Sequence, residues 1–319
     1  MNAMLAGLAQ LIHIALLLAV APVLVGVVRW VKARLLGRRG PPLLQPWRDL
    51  FRLAKKQPVL AENASWLFSG APAVAFAATL AAAALVPSFA LGMASAGLAD
   101  LLVIGGLLAF ARFTIALAGM DVGTAFGGIG SSREMMIAVF AEPALLLVIF
   151  TLALLAGSTN IDIIAGVLRD ATPGLRVSLG LCLLAMLALA LAENGRSPVD
   201  NPSGHLELGM VHEAMVLEYS GRHLALIDAT AALKLLLWFT VLATVFVPFG
   251  MAPASATPLA WGIGLLAWLG KICVLALALA AFETAIAKLR VFRVPEFLGI
   301  AVLFALLAVV LLFVSQGFG

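Results

Sequence analysis

The sequence predicts an all-α, polytopic membrane protein: about eight transmembrane helices plus an interfacial amphipathic helix, in a single integral membrane domain over residues 1–319. Three observations lead there. The chain is 63% hydrophobic with a mean hydropathy of +1.12, whereas soluble globular chains are nearer half apolar. Eight apolar runs approach or exceed the roughly 20 residues that cross a bilayer. The charged residues, 11% of the chain, gather mostly in the connections between those runs.

The first span is expected over residues 4–28, with Pro22 as a kink and a charged extension through Arg34. Residues 37–64 follow as a cytoplasmic connection whose opening, GRRGPP, breaks the helix. From Trp47 the pattern is amphipathic, with Trp47, Leu50, Phe51 and Leu53 set against Arg48, Arg52, Lys55 and Lys56. Such a segment lies in the interface rather than crossing it. Further spans are expected at 66–87, 97–120, 134–156, 174–192, 231–250, 259–285 and 295–316. The glycine-rich FGGIGSS, 126–132, lacks the Gly-Lys-Ser/Thr ending and the preceding strand of a phosphate loop. Its glycines are expected to permit a tight turn between two spans.

Fifteen of the 20 Lys and Arg residues fall in odd-numbered connections, nine of them between Arg29 and Lys56. The positive-inside rule therefore places those connections in the cytoplasm and both termini outside. The net charge of +4 and pI of 9.4 thus express topology, not affinity for nucleic acid. Met1–Asn2 offers no basic n-region for a cleavable signal peptide. Cys182 and Cys273 lie inside apolar runs and cannot supply the ligand set of an iron–sulfur cluster, so no cofactor is expected in this chain. No inverted repeat stands out, which argues against a self-sufficient ion transporter.

Residues 193–230 form the acidic loop expected on the cytoplasmic side. From Glu193 to Ser220 it reads ENGRSPVDNPSGHLELGMVHEAMVLEYS and holds 5 of the 16 acids: Glu193, Asp200, Glu207, Glu213 and Glu218. Ionisable groups at a membrane boundary are costly and tend to be functional. Asn201–Pro202 has the form of an N-cap followed by proline at the first helical position. A helix from there would place Glu207, Val211, Ala214 and Glu218 on one face. Arg196 is spaced to neutralise Glu193 or Asp200, and carboxylates left unpaired would have raised pKa values suited to a proton relay. The alternative is an ordinary solvated loop, against which Leu206, Leu208, Met210, Met215 and Leu217 call for burial. His212–Glu213 begins like H-E-x-x-H, but position 216 is Val, so the zinc pattern fails. The histidines either titrate near neutral pH and hand protons onward or are hydrogen-bonded structural groups.

Within the spans, each charge needs a partner or water. Glu142, followed by Pro143, and Lys234 are read as functional. Arg112, Lys271 and Glu283 are open to pairing or snorkelling instead. Asp121 and Glu134 flank the third connection.

Four segments together resemble a known family: GRRGPPLLQPWRDLFRL after the first span, SSRE before Glu142, AENGRSPVD closing the fifth span, and LEYSG ending at Gly221. They are similar to the subunit-1 (H-type) membrane family of respiratory complex I, over nearly the whole chain. HLELGMVHEAMVLEYSG resembles the branch found with group 4 membrane-bound nickel–iron (NiFe) hydrogenases of the formate hydrogenlyase type. Quinone-reducing members usually have a shorter stretch here and Phe where Val199 stands.

The resemblance implies a non-catalytic subunit in the bacterial or archaeal cytoplasmic (inner) membrane, surrounded by lipid. Its partners would be the NiFe hydrogenase large subunit, the small Fe–S subunit and antiporter-like membrane subunits, with the NiFe centre and Fe–S clusters in those partners. Proton-coupling residues would be Glu142, Glu193, Asp200, Glu207, Glu213, Glu218, Lys234 and Glu283. Arm-docking residues would be Arg38, Arg39, Arg133, Arg196, His205 and His212. A quinone-site subunit is the alternative within the family.

Overall fold

The computed structural model describes residues 2–170, 177–200, 210–253, 256–286 and 293–317. Among them seven helices are long and apolar enough to cross a membrane. They are α1 (Asn2–Leu35), α3 (Trp66–Leu85), α4 (Leu101–Asp121), α5 (Ala125–Ala156), α9 (Gly221–Phe246), α10 (Pro258–Ala285) and α11 (Val294–Gly317). The eighth expected span is α7 (Val177–Glu193), whose 17 residues sit at the short end of the spanning range of roughly 17–25. Short helices α2 (Gln45–Ala54), α6 (Ile161–Asp170) and α8 (His212–Val216) lie in the connections. The all-α membrane fold is as expected. A two-residue parallel pairing, β1 (Ala90–Leu91) with β2 (Ala252–Pro253), is the small exception.

Local chemistry sets the helix ends. Ser65 Oγ accepts from the Leu67 N–H at the start of α3, and Asp100 Oδ1 accepts from Leu102 at the start of α4; both satisfy orphan donors of a first turn. Gly37 and Gly157, at φ +69° and +72°, end α1 and α5 in the left-handed conformation glycine tolerates. Inside α1, Pro22 has no N–H to return to the preceding turn. The Trp47 indole of α2 donates to the nearby Ala19 carbonyl at 3.1 Å, which anchors the amphipathic helix there. Gly26, one turn beyond Pro22, meets the carbonyl of Leu43 so closely that a Cβ would lie 2.0 Å from its oxygen.

α9 is the axis of the bundle, packed by α1, α2, α3, α7 and α10. Its residues from Leu235 to Val245 are all buried, as a helix apolar on every side should be. α4 pairs with α3 and α5, and α11 closes against α5 and α7. The acidic loop sits at the same end as α2. Tyr219 stacks on Phe68 at 4.0 Å between centroids, Ser220 Oγ accepts from the Val59 N–H, and Gly221 abuts the carbonyls of Lys56 and Gln57.

Several expected bounds shift. FGGIGSS is not a turn but the first turns of α5; the turn is at Gly123, φ +72°. Its glycines serve helix packing: a Cβ on Gly127 would lie 2.0 Å from the Gly119 carbonyl, and one on Gly130 would strike Met215 and Ala214. Glu134 is therefore buried within α5 rather than at the edge of the third connection, and Glu142 lies at mid-helix. α9 begins at Gly221, well before residue 231, so Lys234 is deep in the helix and the acidic loop ends before residue 230.

Because the Leu43 carbonyl already occupies the space of a Gly26 Cβ, Gly26→Ala should unseat α2 and destabilise the protein by about 1–3 kcal/mol. Gly70→Ala, with nothing within 4 Å, should be harmless. Thermal denaturation of the two purified variants in detergent checks the contrast.

Candidate functional site

The centre of the site is a buried arginine. Arg112 of α4, 7% exposed, hydrogen-bonds to Glu193 through Nη1 and to Glu142 through Nη2. Glu193 is the last residue of α7, where the helix dipole disfavours a carboxylate, so its burial calls for strong compensation. That comes from Arg112 on one side and from Lys234 of α9 on the other, whose Nζ lies 2.9 Å from Glu193 Oε2. Two cations and two carboxylates drawn from α4, α5, α7 and α9 thus neutralise one another. A cavity of about 20 Å³, lined by Arg112, Glu142, Glu193 and Trp238, adjoins them.

The members differ in exposure. Glu193 and Arg112 are enclosed, whereas 52% of the Glu142 side-chain surface is exposed. Glu142 stands in an outward stripe of α5 with Val139, Leu146 and Phe150, all exposed. Pro143 follows it and leaves the Val139 carbonyl without its helical donor.

Towards the acidic loop the network continues through Glu134 of α5, 1% exposed, whose Oε2 is 3.4 Å from His212 Nε2. Glu134 lies within electrostatic reach of Arg112, as His212 does of Glu193. Glu142 is eight positions along the helix from Glu134, about 12 Å of rise.

The loop itself is fastened at several points. Asp200 Oδ2 accepts from the backbone N–H groups of Val211 at 3.1 Å and His212 at 3.3 Å. Arg133 Nη1 donates to the Met210 carbonyl at 2.9 Å, so its guanidinium holds the approach to α8. The Tyr219 hydroxyl donates to the Phe68 carbonyl at 2.9 Å. Burial and the neighbouring Asp121 push that phenol well above its ordinary pKa, which keeps it a donor.

Arg196 does not neutralise Glu193, whose cations are Arg112 and Lys234. It lies 3.5 Å from Glu283 Oε1, and Lys32 lies 3.1 Å from Glu283 Oε2, making a second cluster between α1, α10 and the loop. The reason is geometric: Gly195, φ +55°, turns the chain as α7 ends, so Arg196 leaves the face Glu193 occupies.

The helix expected from Asn201, with His205 and Glu207, lies outside the described residues. Met210 and Val211 are not helical, and α8 begins only at His212, so no single helix unites Val211 with Glu218. Val211 and Ala214 are buried, Glu218 is exposed, and Glu213 is intermediate. Arg38 and Arg39 are exposed on the connection between α1 and α2. Lys271 is used structurally, donating to the Val247 carbonyl at 2.6 Å and to that of Phe249, past the end of α9.

Residues 8–315 match the NADH dehydrogenase family. The chain belongs to that family. It is 35% identical over 301 residues to formate hydrogenlyase subunit 4 of Escherichia coli (strain K12), covering 94% of this chain and 96% of that one. Identity is 35% over 237 residues with hydrogenase-4 component C of the same organism, covering 74% of each chain. With the H-type subunit of the NADH-quinone oxidoreductase of Bordetella avium (strain 197N) it is 30% over 259 residues, covering 76% and 71%. In fold it is similar to a chain of the membrane-bound sulfane sulfur reductase, an archaeal respiratory membrane complex, with TM-score 0.77 at 20% identity over 94% of this chain and 98% of that one. The expected membership in the H-type family of complex I, near formate hydrogenlyase, is therefore correct. The chain is a multi-pass membrane subunit of that kind.

Two residues central to the network are undervalued by the sequence pattern. Arg112 reads there as merely a paired charge, and Glu134 as the edge of a span. The available signal is Arg112 itself: a guanidinium at mid-span demands acidic partners, and Glu142 and Glu193 both stand out in the sequence. Arg112→Met should leave two carboxylates near one cation and destabilise the chain by about 3–5 kcal/mol. Its yield in purified membranes should fall sharply, while Tyr219→Phe, losing one hydrogen bond of about 1 kcal/mol, should accumulate normally.

Proposed function

We propose that the chain is the membrane-anchor subunit of a complex I-like membrane-bound NiFe hydrogenase of the formate hydrogenlyase type, docking the peripheral electron-transfer arm and coupling its redox reaction to proton or sodium movement. The observation that carries this is the charged path itself. It starts at the acidic loop with His212 and Glu134, passes the buried Arg112, Glu193 and Lys234, and opens at Glu142 on the outer face of α5. A carboxylate facing hydrocarbon at mid-span is costly. Its half-exposed position suits the face of a neighbouring antiporter-like membrane subunit, where it gains a polar partner.

On this reading the basic residues around α2 and the loop mark the cytoplasmic side, with both termini outside, by the positive-inside rule. The NiFe large subunit and the Fe–S small subunit then sit over the loop, with Arg38 and Arg39 exposed towards them and Glu213 and Glu218 at the contact. The NiFe centre and Fe–S clusters belong to those partners. A charge change at the cluster nearest the membrane alters the field on Glu193 and Glu134. Because a proton on one carboxylate weakens its hold on Arg112, the guanidinium then favours the other. The names of the two Escherichia coli relatives above support this assembly over a quinone-reducing one.

Glu142→Gln keeps the volume and a hydrogen-bond acceptor, so the assembled complex should remain intact. Ions moved per electron in inverted membrane vesicles should fall; an unchanged ratio removes Glu142 from the route. Affinity purification of the chain from native membranes should bring down a NiFe large subunit. A flavin-containing NADH-oxidising module in its place would decide for the quinone enzyme.

A further inference from the structure

His212 occupies a constructed position. The Asp200 carboxylate holds its backbone N–H and that of Val211. Arg133 fixes the Met210 carbonyl just before it. Gly195 passes so close that a Cβ there would lie 3.0 Å from His212 Nδ1. Three separate elements therefore aim one imidazole at Glu134. Yet among the described residues neither ring nitrogen has a hydrogen-bond partner, nor does Glu134 Oε2, and all three atoms are out of solvent. Buried polar atoms are ordinarily satisfied, so an imidazole positioned this firmly beside an unbonded carboxylate oxygen has a use other than tying the fold together. At 3.4 Å the pair is a few tenths of an ångström beyond the distance at which a proton crosses, about 2.6–3.2 Å.

We propose that His212 passes protons between the acidic loop and the intramembrane charges, with Glu134 as the receiving carboxylate. This rests on the coupling function above and adds its entry step. In the transfer, the imidazolium Nε2–H bond breaks and an O–H bond forms on Glu134 Oε2. Both groups end neutral, with the remaining imidazole proton on Nδ1 and the free lone pair on Nε2, so the ring must turn over to present that free nitrogen to the loop before it takes the next proton. Among the described residues, Glu134 of α5 faces the imidazole, Glu193 of α7 acts on it through space, and Asp200 of the loop holds its backbone N–H. Neutralising Glu134 also removes one of the three carboxylates that act on Arg112, which ties the transfer to the redistribution between Glu142 and Glu193.

The test uses inverted vesicles carrying the complete complex, with reduced methyl viologen as electron donor and hydrogen evolved as the electron count. In the wild type, ions moved per electron should decline as pH on the loop side rises through the imidazole range. In His212→Gln electron transfer should persist, while the ratio drops several-fold and loses that pH dependence; Glu134→Gln should behave alike. Should His212→Gln match the wild type while Glu142→Gln uncouples, the entry step is overturned and the coupling function stands. Should neither variant alter the ratio, the coupling function falls and the entry step with it. Were the histidine variant not to assemble, pH-difference infrared spectra of the wild-type complex with isotope-labelled histidine decide. An imidazole band titrating together with a protonated-carboxyl band supports the step, and a carboxyl region silent while the imidazole titrates overturns it.

Discussion

Everything in this fold is arranged so that Arg112 can be charged inside a membrane. A guanidinium cannot be discharged in any accessible pH range, so at mid-span it must be surrounded by acceptors. Glu142 and Glu193 share it from two different helices, and Lys234 prevents the set from carrying excess negative charge. One donor fork with two carboxylates makes an arrangement with two states. Removing a full charge at about 4 Å alters the interaction by about 4 kcal/mol at an effective dielectric of about 20. That approaches the roughly 5.5 kcal/mol needed to swing an equilibrium from 1:99 to 99:1. On the proposed coupling, a proton on one of these carboxylates therefore supplies most of that input.

Such a switch is useful only if its mount is stiff. The motifs that carry the family resemblance turn out to be fasteners. Tyr219 and Ser220 of LEYSG pin the end of the loop to Phe68 and Val59, and Gly221 fits against the end of α2. Asp200 of AENGRSPVD folds the loop back so that His212 meets SSRE at Glu134. Leu43 and Trp47 of the first connection seat α2 on α1 at Gly26 and Ala19. Apart from Trp47, which reaches Ala19 midway along α1, these contacts lie at the loop end of the bundle. The opposite end is held by different means: the short β pairing, and an Asn160 side chain that donates to the Ala96 carbonyl.

Much of the fold was legible because hydropathy over about 20 residues is a strong signal: eight apolar helices, an amphipathic α2, and acids gathered at one connection. The bounds erred where polar residues continue a helix beyond its apolar part. α5 starts at Ala125 because glycines and serines let α4 and α8 pack against it, and hydropathy cannot distinguish that from a turn. α9 starts at Gly221 although Arg222, His223 and Asp228 sit in its first turns. Residue types are read more securely than pairings. Glu142, Glu193 and Lys234 stand out in the sequence and do converge, but Arg196 is spaced to pair with its neighbours along the chain, whereas its partner Glu283 lies 87 residues away. Spacing carries no information about that.

Glu142 and Glu283 show how two carboxylates of similar placement in the sequence acquire opposite possibilities. The Glu283 side chain is 4% exposed and lies between two cations, Lys32 and Arg196. With both oxygens engaged, it has no direction in which to hand a proton except back to its own partners, and it acts as a clamp joining α1, α10 and the loop. Glu142 has one strong partner and an open side. A group held by one charge and exposed on another face can exchange partners, which is the property a path between subunits requires. On the proposed coupling, that asymmetry favours Glu142 over Glu283 as the point where the chain's buried charges meet a neighbouring subunit.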